Sequence, residues 1–85
     1  MKDVQFTKLA YSQLEEWKKL DTKIYEKIAL LIDAIQENPF SGIGKPEPLK
    51  HEFAGCWSRR INKEHRLIYK VTANSIIVFA CKFHY

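Results

Sequence analysis

Three side chains in the second half of this sequence have the types needed to cleave RNA without a metal: Glu47, Arg66 and His84. Such cleavage requires a base for the 2′-hydroxyl proton, a cation beside the phosphate and an acid that protonates the departing 5′-oxygen. A carboxylate, a guanidinium and an imidazole match these roles by type. Acid–base catalysis of this kind contributes about 10²- to 10⁴-fold. The hypothesis therefore requires that folding brings the three groups to one phosphate.

Each of these residues also has a purely structural interpretation. His84 can be an ordinary residue at the end of a chain, and Tyr85 can pack against the sheet edge or stack on a nucleobase. Glu47 lies between two prolines, which restrict the backbone on both sides of the carboxylate, and this restriction is costly for a residue that only needs to be solvated. His51 and His65 are interpreted as loop and turn residues.

The first half of the chain predicts a strand followed by two helices. Alternating polar and apolar residues predict a strand over 2–6, and apolar residues three and four apart predict a helix over 7–20. Asp21 is expected to cap a second helix, which ends at Asn38 because Pro39 disfavours helical backbone at the residue before it. The short link between the helices predicts an antiparallel hairpin with one shared apolar face.

The second half predicts a loop and three strands. Residues 40–48 contain two Gly and two Pro and are expected to form a loop of restricted shape. Aromatic and β-branched residues predict strands over 56–61, 65–72 and 75–83. We therefore expect residues 1–85 to form a single α+β domain, with a two-helix antiparallel hairpin packed on one face of a twisted, mainly antiparallel β-sheet.

Alternation along the predicted strands assigns their side chains to two faces of the sheet. The face toward the helices receives apolar residues: Trp57, Ile61, Leu67, Tyr69, Val71, Ile77, Phe79, Cys81 and Phe83. The open face receives Ser58, Arg60, Arg66, Ile68, Lys70, Lys82 and His84. A face lined by cations suits a single strand of RNA or DNA, and it is equally consistent with the solvated face of an ordinary antiparallel sheet.

Composition and charge narrow the class of protein. The net charge of +4 is divided unevenly, because residues 1–42 carry six Lys against seven Asp and Glu, whereas residues 43–85 carry eight Lys and Arg against three Glu. A basic half of this kind indicates a polyanionic partner. No apolar run approaches the roughly 20 residues of a membrane span, and the start has no secretory layout, so we expect a soluble cytoplasmic protein without a membrane partner. Two cysteines and no zinc-ligand spacing indicate neither metal nor cofactor.

Four stretches of the second half form a specific pattern: GIGKPEPLK at 42–50, GCWSRRI at 55–61, EHRLIY at 64–69 and the terminal His84-Tyr85. This pattern resembles that of the YoeB toxins of the RelE superfamily. The first half agrees with that family in length and helical pattern, but less in residue identity. Cys56 stands where the family more often has an aromatic residue, a difference that concerns local packing and none of the catalytic roles.

The resemblance implies a RelE-like fold and a ribosome-dependent messenger RNA interferase. It implies that Glu47 is the general base, that Arg66 stabilises the charge on the phosphate and that His84 is the general acid. Tyr85 would position the substrate. The expected products are a 2′,3′-cyclic phosphate and a 5′-hydroxyl end.

The resemblance also implies partners. The protein would be the toxin of a type II toxin–antitoxin pair, neutralised by a YefM-like antitoxin, and it would act on mRNA in the A site of the 30S ribosomal subunit. A homodimer is expected as well, because family members are often dimeric. Lys50 and Arg60 match family positions that contact RNA, and Lys82 joins them as a predicted RNA contact on the open face.

Two other functions remain open from the sequence. A non-catalytic protein could block translation by binding ribosomal RNA through the same basic face, in which case growth inhibition would persist without His84. A pure interaction domain could use that face for an acidic protein partner, in which case expression without the partner would not be toxic.

Overall fold

The computed structural model describes residues 2–82. Its elements in chain order are β1 (Asp3–Phe6), α1 (Lys8–Leu20), α2 (Thr22–Glu37), β2 (Glu47–Pro48), a 3₁₀ turn (His51–Phe53), β3 (Trp57–Arg60), β4 (Arg66–Val71) and β5 (Ser75–Ala80). The strands form one sheet in the order β1-β5-β4-β3-β2, in which β1 runs parallel to β5 and the other neighbours are antiparallel. The predicted α+β architecture is confirmed.

A single residue connects the two helices. The backbone N–H of Asp21 donates to the carbonyl of Trp17 at 2.8 Å and ends α1, while its carboxylate accepts from the first amides of α2. This confirms the predicted cap. Because only one residue links the helices, α2 packs beside α1. Helix α2 ends at Glu37 with Asn38 as its C-cap, directly before Pro39, also as predicted. No helix within residues 2–82 is long and apolar enough to span a bilayer.

The core lies between the helix pair and one face of the sheet. It consists of fully or almost fully buried side chains from both layers: Ala10, Trp17, Ile28, Leu31, Ile35, Ile61, Leu67, Tyr69, Ile76, Val78 and Cys81. The indole N–H of Trp17 donates to the Cys81 carbonyl at 2.9 Å, and the Gln13 side chain accepts from the Cys81 amide at 2.7 Å. These two hydrogen bonds fix the end of β5 to α1.

The predicted faces of β5 are partly wrong. Ile76 and Val78 pack in the core, whereas Ile77 and Phe79, which were expected there, do not belong to it. The cause is a register shift, because Ile68 pairs with Ala80 while the next residue of β4 pairs with Val78. Phe79 is thus an extra residue in β5, and a bulge of this kind interrupts the alternation of faces.

The Pro-rich segment is also more ordered than a loop. Glu47 and Pro48 form a short edge strand, in which Glu47 pairs with Ser58 and Pro48 with Trp57. Proline has no amide to donate, so this segment can pair on one side only and has to lie at the edge of the sheet. The edge position gives Glu47 a fixed register relative to β3.

Candidate active site

Glu47 and Arg66 form an ion pair on the open face of the sheet. The guanidinium Nη1 of Arg66 lies 3.2 Å from Oε1 of Glu47. Glu47 belongs to β2 and Arg66 to β4, so the guanidinium crosses over β3 to reach the carboxylate. The Glu47 side chain is 57% exposed and that of Arg66 only 21%. The arginine is therefore packed along the sheet, while the carboxylate remains accessible to a substrate.

Further cations lie around this ion pair. Arg60 pairs with Arg66 in the sheet register, which places both side chains on the same face, and Lys70 follows two residues after Ile68 on that face. Arg60 and Lys70 are exposed. Two arginines opposite one another repel, and an anion near both would relieve this repulsion. The open face thus has the charge expected for a phosphate backbone.

Lys50 lies in the segment that follows β2. It lines an open pocket of about 320 Å³ together with Leu49, His51, Glu52 and Phe53. His51 has a φ of 61°, in the left-handed region that side chains other than glycine rarely adopt. The sequence indicated only a loop residue at this position, and no sequence signal predicts the strained backbone. The pocket adjoins Lys50, one of the predicted RNA contacts.

Lys82 does not lie where the sequence predicted. Its ammonium group forms an ion pair with Glu16 of α1 and lies 5.5 Å from the centre of the Trp17 ring. Strand β5 ends at Ala80 and the backbone bends at Cys81 and Lys82, so alternation of faces no longer applies there. The placement of Lys82 on the open face was wrong, and the RNA contact predicted from it loses its basis.

The predicted acid and the predicted substrate-positioning residue, His84 and Tyr85, lie outside the described residues, as does Phe83. Of the three groups assigned to the reaction, the structure therefore brings together the carboxylate and the guanidinium. The roles of His84 and Tyr85 stay predictions.

Arg59 is a buried residue that anchors the loop before Glu47, and the sequence analysis missed it. It is fully buried, and its guanidinium donates to three carbonyls of the loop between α2 and β2: Asn38 at 2.6 Å, Ser41 at 2.9 Å and Ile43 at 3.1 Å. A buried cation is costly unless it is hydrogen-bonded, and these carbonyls accept three of the five donors of the guanidinium. Alternation along β3 contained the signal, because Arg59 falls between two core residues.

Tyr69 completes the anchor of this loop. Its hydroxyl accepts from Nε of Arg59 at 3.2 Å and donates to the carbonyl of Pro39 at 2.6 Å. Burial raises the pKa of the Tyr69 hydroxyl, although the nearby Arg59 opposes that rise. The hydroxyl therefore stays protonated and can donate.

A backbone hydrogen bond joins the loop to β3 three residues before Glu47. The amide of Arg60 donates to the carbonyl of Gly44 at 2.6 Å. Gly44 has a φ of 83° and no room for a side chain, because an added Cβ would lie 2.9 Å from a methyl of Leu31. Buried and hydrogen-bonded contacts thus hold the chain up to three residues before the carboxylate, which gives Glu47 a defined position.

No group of three His, Cys, Asp or Glu side chains within the described part of the chain could hold a metal ion. The open face carries the Glu47 carboxylate and several cations. This set can remove a proton and stabilise negative charge on a phosphate.

Comparison with known proteins gives consistent results. A family model described as "YoeB-like toxin of bacterial type II toxin-antitoxin system" matches residues 6–85. A relative named "Toxin YoeB" from Synechocystis is 46% identical over 82 residues, which covers 96% of this chain and 95% of that protein.

Solved structures agree with the described fold. A YoeB dimer from Staphylococcus aureus superposes with a TM-score of 0.93 at 41% identity, covering 99% of this chain and 98% of that one. A heterotetrameric YoeB–YefM toxin–antitoxin complex from the same organism contains a chain with a TM-score of 0.91 at 41% identity, covering 100% and 99%. The RelE-like fold is thereby confirmed. The family match and the identity over nearly the whole length show that this chain belongs to the YoeB-like toxins of bacterial type II toxin–antitoxin systems.

Proposed function

We propose that this toxin is a ribosome-dependent endoribonuclease that cleaves mRNA in the 30S A site by general acid–base catalysis. The observation that carries the proposal is the ion pair between Glu47 and Arg66 on a basic, open sheet face. An exposed ion pair of this kind contributes only about 0–1 kcal/mol to stability, so folding alone gives little reason to build it. A base held next to a phosphate-binding cation is what the reaction needs.

The reaction uses the groups as follows. The carboxylate of Glu47 removes the 2′-hydroxyl proton, the 2′-oxygen forms a bond to phosphorus and the bond from phosphorus to the 5′-oxygen breaks. Arg66 stabilises the negative charge that accumulates on the non-bridging oxygens. His84 gives its proton to the 5′-oxygen, so that the products are a 2′,3′-cyclic phosphate and a 5′-hydroxyl. All atoms and protons are accounted for without metal or cofactor.

The ion pair represents the resting state of the site. When the scissile phosphate arrives, it competes with Glu47 for the donors of the Arg66 guanidinium, and the ion pair opens as Arg66 turns to the phosphate. The carboxylate then lies beside the phosphate and within the reach needed for the 2′-hydroxyl. Binding of substrate and exposure of the base are thus coupled through one side chain.

Exposed cations bind the parts of the RNA that flank the reacting phosphate. Arg60 lies beside Arg66 on the same face, and Lys50 lines the pocket that follows β2. Contacts of this kind go to the phosphate backbone and carry little sequence information. The ribosome would hold a single mRNA strand in a fixed position, so the small protein needs few RNA contacts of its own to position the substrate. This requires that the toxin acts in the cytoplasm.

The proposal extends to protein partners. The Staphylococcus relatives are described as a YoeB dimer and as a YoeB–YefM complex, and a chain of the same fold is expected to form corresponding assemblies. A YefM-like antitoxin would neutralise the toxin by covering or distorting the basic face.

The test is to map mRNA ends in a reconstituted translation reaction. Wild-type protein should produce new 5′-hydroxyl ends within ribosome-bound mRNA. The Glu47→Ala and His84→Ala variants should still bind ribosomes but lose cleavage by about 10²-fold or more. Full cleavage by both variants would refute the proposed chemistry. Inhibition of translation without any cleavage by wild-type protein would instead establish the non-catalytic blocker.

A further inference from the structure

The hydroxyl of Ser58 is buried without a hydrogen-bond partner among residues 2–82. Ser58 is 0% exposed, and its Oγ contacts no donor or acceptor within hydrogen-bond distance in that part of the chain. Folded proteins pair the large majority of their buried polar atoms, because an unpaired one loses its hydrogen bonds to water without replacement. A buried hydroxyl with no partner in residues 2–82 therefore calls for an explanation other than packing in that part of the chain.

Ser58 lies directly below the candidate active site. In the sheet register it pairs with Glu47 on one side and with Ile68 on the other. Because paired residues point to the same face, its side chain lies on the face of the Glu47–Arg66 ion pair, which crosses β3 at this strand. Opposite residues in an antiparallel pair have Cβ atoms about 4.5–5.5 Å apart. A hydroxyl at Ser58 is thus within reach of the Glu47 carboxylate.

The surrounding residues would accept an apolar side chain at this position. Cys56, Ile68 and Ala80 form a small buried cluster on the same face, with Leu49 packed against it. Alanine at position 58 would fit this environment and would remove the cost of the unpaired hydroxyl. The fold alone therefore favours the loss of the hydroxyl, and a role in function accounts for its presence.

We propose that Ser58 is a positioning residue, whose hydroxyl donates a hydrogen bond to the Glu47 carboxylate when the substrate phosphate draws Arg66 away. This inference rests on the proposed ribonuclease function. The carboxylate loses its fixed partner at the moment when it has to face the 2′-hydroxyl. The Ser58 hydroxyl can rotate, and it is the polar group in register with Glu47 on the adjacent strand. The new hydrogen bond holds one carboxylate oxygen and leaves the other free to accept the proton.

The experiment measures stability and cleavage on the same variants. Ser58→Ala removes the hydroxyl, and Ser58→Cys replaces it with a somewhat larger thiol that is only a weak donor. Both should unfold at the same urea concentration as wild type or at a higher one. Both should bind ribosomes with unchanged affinity and cleave at saturating ribosome concentration with a kcat lower by about 10-fold or more, as expected for loss of a hydrogen bond to a charged group.

A matched control is Ser75→Ala, which removes a serine hydroxyl from β5, separated from β2 by two strands. It should leave kcat unchanged. Ser58→Ala and Ser58→Cys variants that cleave like wild type would overturn the inference. A loss of stability in parallel with cleavage would also overturn it, because it would show that Ser58 only packs. Wild-type protein that does not cleave mRNA would instead refute the proposed function, and the role of Ser58 with it.

Discussion

Arg66 crosses a whole strand to bring its guanidinium to 3.2 Å from the carboxylate of Glu47. The base and the phosphate-binding cation of the proposed reaction therefore neutralise each other in the free protein. Glu47 comes from an edge strand of two residues and Arg66 from a central strand of six. The central strand is fixed by the core, so the position of the short edge strand, which the preceding loop holds, decides whether the two groups meet.

The first prediction concerns Arg59, which holds the loop before that edge strand. Arg59→Met should lower the free energy of unfolding by more than about 3 kcal/mol, because three carbonyls and the Tyr69 hydroxyl lose their donor at once. The neighbouring Arg60 is exposed on the other face, so Arg60→Met should change stability by no more than about 0.5 kcal/mol. Urea unfolding of both variants measures the difference. Equal effects would show that the buried contacts are not formed in solution.

The second prediction compares two glycines with positive φ. Gly55 has a φ of 94° and open space around it, so Gly55→Ala should cost only the strain of the left-handed backbone, about 1–2 kcal/mol. Gly44 has a similar φ, but its added methyl would press on Leu31 and β3, which should cost a further 1–3 kcal/mol or so. Gly44→Ala should also reduce mRNA cleavage, because it displaces the chain before Glu47. If both variants unfold alike, the close packing at Gly44 is absent.

The third prediction compares how Arg60, on the open face, and Lys82 contribute to the salt dependence of ribosome binding. Arg60→Gln should weaken ribosome binding and reduce the slope of log affinity against log salt concentration by about 1, because one phosphate contact is lost. Lys82→Gln should leave that slope unchanged, because its ammonium is paired with Glu16 on α1. Binding titrations over a range of KCl concentrations measure both. A salt slope that changes for Lys82→Gln alone would contradict the placement of the two residues.

The fourth prediction is a loss of stability at alkaline pH. Burial raises the pKa of the Cys81 thiol from 9.0 to about 12, and it also raises the pKa of the Tyr69 hydroxyl from 10.0. Groups with a higher pKa in the folded state stabilise the fold fully below the unfolded pKa and lose this contribution as pH rises. The free energy of unfolding should therefore fall from pH 9.0 toward pH 12. Urea unfolding along this series should show a smaller decline for Cys81→Ala, and a constant stability in wild type would contradict the buried thiol.

The sequence predicted the two helices, the start and end of α2 and the existence of each late strand, because these depend on local signals. The Asp21 carboxylate caps the amides that directly follow it, and Pro39 restricts the residue before it, so both signals can be identified from neighbouring residues in the chain. The faces of β5 could not be predicted in this way. The bulge at Phe79 arises from pairing with β4, and the sequence of residues 75–80 contains no signal that predicts it.

Likewise, the sequence analysis selected only some of the residues of the candidate site. The types of Glu47 and Arg66 and the resemblance to a known family were sufficient to select them. Alternation along β3 places Arg59 on the core face, but its role was missed because the carbonyls that stabilise it come from a loop 16 to 21 residues away in the chain. Ser58 was assigned to the open face correctly, but its burial depends on its two neighbouring strands, β2 and β4.

The most direct test of the account is single-turnover cleavage of ribosome-bound mRNA by Glu47→Gln, by Arg66→Gln and by the double variant. Glutamine at 47 can still accept from the arginine but cannot take a proton. Each single variant should lose about 10²-fold or more, and the double variant should be little slower than the slower single variant, because groups that act as a unit are not additive. Cleavage by Glu47→Gln at the wild-type rate, or losses that simply multiply in the double variant, would contradict a base and a cation acting together at one phosphate.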